Sequence, residues 1–169
     1  ETVERFLPIC AAARQDGIPV RGYISCVTDC PYDGPTLPGN VAGMAEKLFK
    51  AGCYEISLGD TIGRGTPETI AAMLDAVIEV VPAQQLAGHY HDTSGRALSN
   101  IEVSLEKGVR TFDASVGGLG GCPYAPGAAG NVSTQTVIER LEALGYSTGI
   151  EREKLQIAVD FALGLRTTM

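Results

Sequence analysis

The chain has 169 residues, 44% of them hydrophobic, and a formal net charge of −7. That length and apolar share suffice for one globular core. The acidic balance argues against a nucleic-acid partner, which needs a basic footprint, and against an anionic membrane surface. No apolar run approaches the ~20 residues that span a bilayer. The five cysteines (Cys10, Cys26, Cys30, Cys53 and Cys122) are odd in number and scattered. They do not read as a disulfide framework and fit a reducing, cytosol-like compartment.

Taken in chain order, one unit recurs: apolar strand, loop, amphipathic helix, glycine stop. The opening segment places Val3, Phe6, Leu7 and Cys10 at helical spacing and closes at Gly17. "VRGYISC" (20–26) reads as a buried strand. Asn40 is positioned to cap a helix that turns Val41, Met44 and Leu48 inward and ends at Gly52. "YEISLGD" (54–60) is the next strand. Thr66-Pro67 starts a helix with Pro at its first position, and Ile70, Met73, Leu74, Val77, Ile78 and Val81 share one face. "QLAGHYHD" (85–92) is a third strand, followed by a helix carrying Leu98, Ile101 and Leu105 that stops at Gly108. "VRTFDASV" (109–116) is a fourth strand. A glycine-rich loop (117–130) precedes a helix with Val137, Ile138, Leu141 and Leu144, and a last helix runs from Glu151 to Leu165.

Strands alternating with helices predict a parallel α/β sheet. A doubly wound sheet and a (β/α)8 TIM barrel compete. The unusual polar residues gather at strand C-terminal ends each time: Ser25-Cys26, Asp60-Thr61, His89 to Thr93, and Ser115 onward. That placement favours the barrel, whose site is built at that end of every strand. A barrel takes about 250 residues, and this chain offers four strands. Residues 1–169 are therefore expected to be the C-terminal portion of a single barrel domain, with two open sheet edges.

The two histidines of the chain are His89 and His91. On a strand, side chains alternate with period two, so both imidazoles face one side, about 6–7 Å apart along the strand. Two imidazoles so placed can share a divalent ion; two ordinary histidines, one satisfied in a core, are the plainer alternative. Asp92-Thr93 either orient an imidazole or cap a helix starting near Ser94. In "SVGGLGGCPYAPGAAGN" (115–131), the glycines suit a lid over a barrel mouth, with Cys122 poised for proton transfer or serving as a small filler. Asn131, just before a helix, either caps it or gives its amide oxygen to a hard cation. By position alone, the cap is favoured. Cys26 and Cys30 with the two histidines make a structural Cys2His2 zinc site conceivable, although Asp33 stands where a further cysteine would fit. Gly63-Arg64-Gly65 lacks the Gly-Lys-Ser/Thr of a phosphate loop and reads as a flexible turn, with Arg64 available to an anion. Asn131-Val132-Ser133 matches a glycosylation acceptor by accident.

Four segments resemble the hydroxymethylglutaryl-CoA lyase family, in order and over nearly the whole chain: "RGYISCVTDCPYDG", "GCYEISLGDTIGRGTP", "HYHDTSGRALSN" and "SVGGLGGCPYAPGAAGN". The glycine loop with Cys-Pro-Tyr-Ala is the most specific of them. The His-x-His-Asp-Thr run is weaker, since transcarboxylase domains carry a similar one. The resemblance implies a TIM barrel that cleaves 3-hydroxy-3-methylglutaryl-CoA to acetyl-CoA and acetoacetate. It implies His89, His91 and Asn131 as ligands of Mg²⁺ or Mn²⁺ rather than Zn²⁺, with Cys122 as the catalytic loop cysteine. Asp60 would be an active-site carboxylate on the neighbouring strand, and either it or a histidine would be the base. It further implies an acyl-CoA substrate, a homodimer at full length, and a location in the bacterial cytoplasm (favoured) or the mitochondrial matrix. The family's Arg-Asp pair on the first barrel strand is not in these residues, so the chain by itself is expected to be inactive. Gln135 stands where some lyases carry an acidic residue.

Overall fold

The computed structural model describes residues 2–121 and 130–166. The chain opens with α1 (Thr2–Gln15), β1 (Arg21–Ile24), and a small antiparallel hairpin of β2 (Asp29–Cys30) and β3 (Gly34–Pro35). Next come α2 (Pro38–Lys50), β4 (Glu55–Asp60), α3 (Pro67–Ile78) and β5 (Leu86–Tyr90). It ends with α4 (Ala97–Glu106), β6 (Thr111–Asp113), α5 (Thr134–Ala143) and α6 (Arg152–Arg166). The main sheet is parallel, in the order β1-β4-β5-β6. Each strand is joined to the next through at least one helix, so the sheet is an open segment of a TIM barrel, as the sequence predicts. None of the described helices is long and apolar enough to cross a membrane.

The period-two alternation of the strands sorts the side chains onto two faces. In β4, Ile56, Leu58 and Asp60 point one way and are fully buried. Leu86 of β5 pairs in register with Ile56 and shares that side. The helices cover it with Ala45 and Leu48 of α2, Ile70, Met73, Leu74 and Val77 of α3, and Ile101 and Leu105 of α4. The opposite face carries Arg21, Tyr23, Glu55, Ser57, Ala87, His89 and Asp113. It is mostly polar; Ser57 and Ala87 are buried in it, whereas Tyr23 is 59% exposed.

Helix starts follow local chemistry, with one departure here from expectation. At α3, Thr66 is the N-cap, in a reciprocal capping box with Thr69. At α2, Asn40 is not the cap. Leu37 holds that place in extended backbone with Pro38 at the first helical position, and the Asn40 N–H already donates to the Leu37 carbonyl at 2.9 Å. Proline's fixed φ sets the entry three residues earlier than the side-chain signal. The fourth strand is also shorter than predicted, three residues rather than the stretch 109–116.

Leu58 is wholly enclosed by this core. Leu58→Ala is expected to cost about 2–5 kcal/mol of stability, read by urea denaturation of the full-length protein. A change below about 0.5 kcal/mol, the usual range for surface substitutions, would contradict this account of the core.

Candidate metal and active site

Beyond β5 the chain leaves the sheet, and an extended segment at 130–133 crosses the strand ends. His91 meets Asn131 in an isolated antiparallel pairing, and the Asp92 N–H donates to the Gly130 carbonyl at 2.7 Å. The segment is anchored at its other side by the Ser115 N–H on the Val132 carbonyl at 3.0 Å and the Thr134 N–H on the Ser115 carbonyl at 2.9 Å. Gly130 is required here, because a Cβ would collide with the carbonyl oxygen of Gly120. Asn131 is thereby delivered to His91 from 40 positions away, and His89 and His91 face each other with ring centroids 5.3 Å apart.

Asn131 is not a helix cap. Ser133 takes that role, its Oγ accepting the Thr136 N–H at 3.2 Å. The Asn131 amide nitrogen donates to the Leu119 carbonyl at 3.0 Å, so the amide oxygen is not spent on the helix. Thr93 does not cap either. Asp92 Oδ1 accepts the Ala97 N–H at 3.0 Å and so sets the start of α4 three residues beyond Ser94. Gln135 tethers α5 through its side-chain oxygen, which accepts the Gly117 N–H at 3.1 Å.

The histidine nitrogens are the unusual atoms of the site. Nδ1 of His89 and Nδ1 of His91 are both buried without a hydrogen-bond partner among the described residues. An unmet buried polar atom costs about 1–3 kcal/mol. Burial, with the neighbouring His89, lowers the His91 pKa against the pull of Asp60. The ring therefore stays neutral below the ordinary histidine range, in the form that offers a lone pair. A donor set of two imidazoles and an amide oxygen fits a divalent cation. Among the described residues no three His, Cys, Asp or Glu side chains converge as a metal-binding cluster. Cys26 and Cys30 thus do not join the histidines in a Cys2His2 zinc site, and the Cys30 thiol points instead to Asp33 Oδ2 at 3.6 Å. Cys122 lies outside the described residues, as does most of the glycine-rich loop.

Asp60 takes the other face of the sheet from His89. In register it pairs with Tyr90, and Gly59 pairs with His89, so strand parity sends Asp60 to the helix-covered side. It is fully buried. Its Oδ1 accepts the Thr28 hydroxyl at 2.9 Å and the Arg64 N–H at 3.2 Å, while Oδ2 accepts the Gly65 N–H at 2.8 Å. Those bonds fix the turn after β4 instead of presenting a free carboxylate. The turn itself is tight rather than flexible. Gly63 has φ +63°, and a Cβ on it would sit 2.8 Å from Thr93 Cβ and 2.9 Å from the His91 carbonyl oxygen. Arg64 extends outward, 65% exposed, 3.6 Å from Asp29.

The open face of the sheet holds a polar group that the sequence reading passed over. Arg21 pairs with Glu55 and grips both oxygens of Asp113, at 2.9 and 3.0 Å; the Ser57 hydroxyl also donates to Asp113, at 2.7 Å. His89 Nδ1 lies 3.4 Å from the same carboxylate. The available signal was the presence of Arg, Glu, Ser and Asp inside strands otherwise made of core residues.

The family model described as HMGL-like matches residues 1–161. Among curated proteins, hydroxymethylglutaryl-CoA lyase of Pseudomonas mevalonii is 50% identical over 168 residues, covering 99% of this chain and 56% of that protein. The cytoplasmic 3-hydroxy-3-methylglutaryl-CoA lyase of Danio rerio is 53% identical over 161 residues, covering 95% of this chain and 48% of that protein. The crystal structure of the HMG-CoA lyase of Brucella melitensis superimposes with a TM-score of 0.96 at 61% identity, over 98% of this chain and 58% of that one. The chain thus spans about half the length of these relatives.

Burial pushes the Asp113 carboxyl up, but the contacts from His89, Arg21 and Ser57 and the Arg21 charge outweigh it and hold it well below the usual carboxylate range. A lowered folded-state pKa means that the ionised form stabilises the fold. That contribution is complete above the ordinary Asp value of about 3.9 and fades as pH falls beneath it. Urea denaturation should therefore separate wild type from Asp113→Ala fully at pH 7, and the gap should begin to narrow as pH falls below about 4. A gap independent of pH would refute the assignment.

Proposed function

Because the chain belongs to the HMGL-like family, we propose that it forms the C-terminal part of the catalytic barrel of a hydroxymethylglutaryl-CoA lyase. The full protein would cleave 3-hydroxy-3-methylglutaryl-CoA to acetyl-CoA and acetoacetate. The observation that carries this reading is the juxtaposition of His89, His91 and Asn131 at the strand ends, with a buried His91 Nδ1 that no protein group satisfies among the described residues.

In this proposal His89 and His91 lend imidazole nitrogens and Asn131 its amide oxygen to Mg²⁺ or Mn²⁺. The oxygen ligand, and the lack of a thiolate among the described residues of the cluster, favour these harder ions over Zn²⁺. A cation held by these residues would supply Lewis acidity towards the substrate's oxygens. The bond that breaks joins the carbinol carbon to the thioester α-carbon. Its electron pair leaves on the thioester side, the hydroxyl gives up its proton to a base, and the carbinol carbon becomes the ketone of acetoacetate. Cys122 is the proposed donor of the proton that turns the α-carbanion into acetyl-CoA. Asp60 serves this chemistry at one remove. Its bonds to Thr28, Arg64 and Gly65 hold the turn that Gly63 packs against His91 and Thr93, which makes it a positioning residue rather than the base.

The full-length protein is expected to release acetoacetate only with a divalent cation present, and EDTA should abolish turnover reversibly. Cys122→Ser should lower kcat by about 10²–10⁴, the range for a general acid, while Mn²⁺ stays bound. Metal-independent turnover would sink the reading, and wild-type kcat in Cys122→Ser would remove that residue's role.

A further inference from the structure

The polar cluster on the open face has a geometry that ordinary ion pairing does not require. Arg21 belongs to β1 and Asp113 to β6, three strand intervals apart, or roughly 14 Å along a flat sheet. The pair nevertheless closes, at 2.9 and 3.0 Å, and Ser57, on the strand beside β1, donates to the same carboxylate. Arg21 engages both carboxylate oxygens and Ser57 adds a third donor. The Asp113 carboxylate is therefore fixed in position and in plane.

What it is fixed against is His89. The two residues are register partners on adjacent strands, and Asp113 Oδ2 is 3.4 Å from His89 Nδ1. That separation is somewhat longer than a formed hydrogen bond, and such contacts tighten when a site is loaded. The opposite edge of the ring, bearing Nε2, is then the edge presented away from the clamp. A carboxylate that accepts from one ring nitrogen sets the tautomer and the ring orientation, and raises the basicity of the other nitrogen.

We propose that Asp113, clamped by Arg21 and Ser57, is a positioning residue that holds His89 as the Nδ1–H tautomer and so reserves its Nε2 lone pair for the divalent ion. The proposal rests on the reading of His89 as a metal ligand, and two separable measurements test it. In the first, metal-free full-length protein labelled with ¹⁵N-histidine gives long-range ¹H–¹⁵N spectra, with His89 identified by its loss in His89→Asn. The expected wild-type pattern is a protonated Nδ1 and a bare Nε2, and Asp113→Ala should shift the ring towards Nε2–H. In the second, Mn²⁺ titration followed by electron paramagnetic resonance should give a 10–100-fold weaker Kd for Asp113→Ala, the usual loss when such a support is removed. A wild-type His89 protonated on Nε2, or an unchanged tautomer in Asp113→Ala, overturns the proposal. The wild-type spectrum decides even if the alanine variant fails to fold. A wild type that shows Nδ1–H but binds no Mn²⁺ contradicts the metal reading instead and leaves the hold of Asp113 on His89 standing.

Discussion

Everything at this site descends from the two-residue period of a parallel strand. Ile56 and Leu58 must lie against the helices because each is fully buried there, and that fixes the register of β4. Once it is fixed, Ser57 and Gly59 have no choice but the other face, and so have their partners Ala87 and His89. A slip of one residue would send every one of these side chains to the wrong side. The core thus aims the polar face: the energy that sets the direction of His89 is the burial of apolar residues that never touch it.

The same constraint separates two aspartates that look alike in sequence. Asp60 and Asp113 both end strands, yet one sits with the core and the other with the imidazoles. Asp60 spends its oxygens on Thr28 and on the backbone of the turn that follows β4. Asp113 spends its own on Arg21 and Ser57 and stands beside His89. One fixes the turn after β4, and the other is held by Arg21 and Ser57 on the strand beside His89.

Much of this was legible in the residues. The order of strands and helices, the Thr66-Pro67 start and the shared face of His89 and His91 follow from local periodicity and capping chemistry. The family resemblance came from contiguous motifs and agrees with the HMGL-like match over residues 1–161. What local reasoning missed was long-range. Asn131 looked like a cap because it precedes a helix; only the folded chain places Ser133 in that role and Asn131 against His91. The Arg21–Asp113 pair joins residues 92 positions apart, and no local pattern encodes such a distance. Asp60 was assigned by motif, whereas register parity, which needs a paired neighbour to be read, puts its side chain on the helix side.

The most direct test of the account is a crystal structure of the full-length protein grown with Mn²⁺, with anomalous scattering recorded at the manganese edge. The account predicts one strong peak within coordination distance of His89, His91 and the Asn131 amide oxygen, with Asp113 hydrogen-bonded to the other ring nitrogen of His89. A peak at Cys26 and Cys30, or density showing no ion between the two imidazoles, would contradict it.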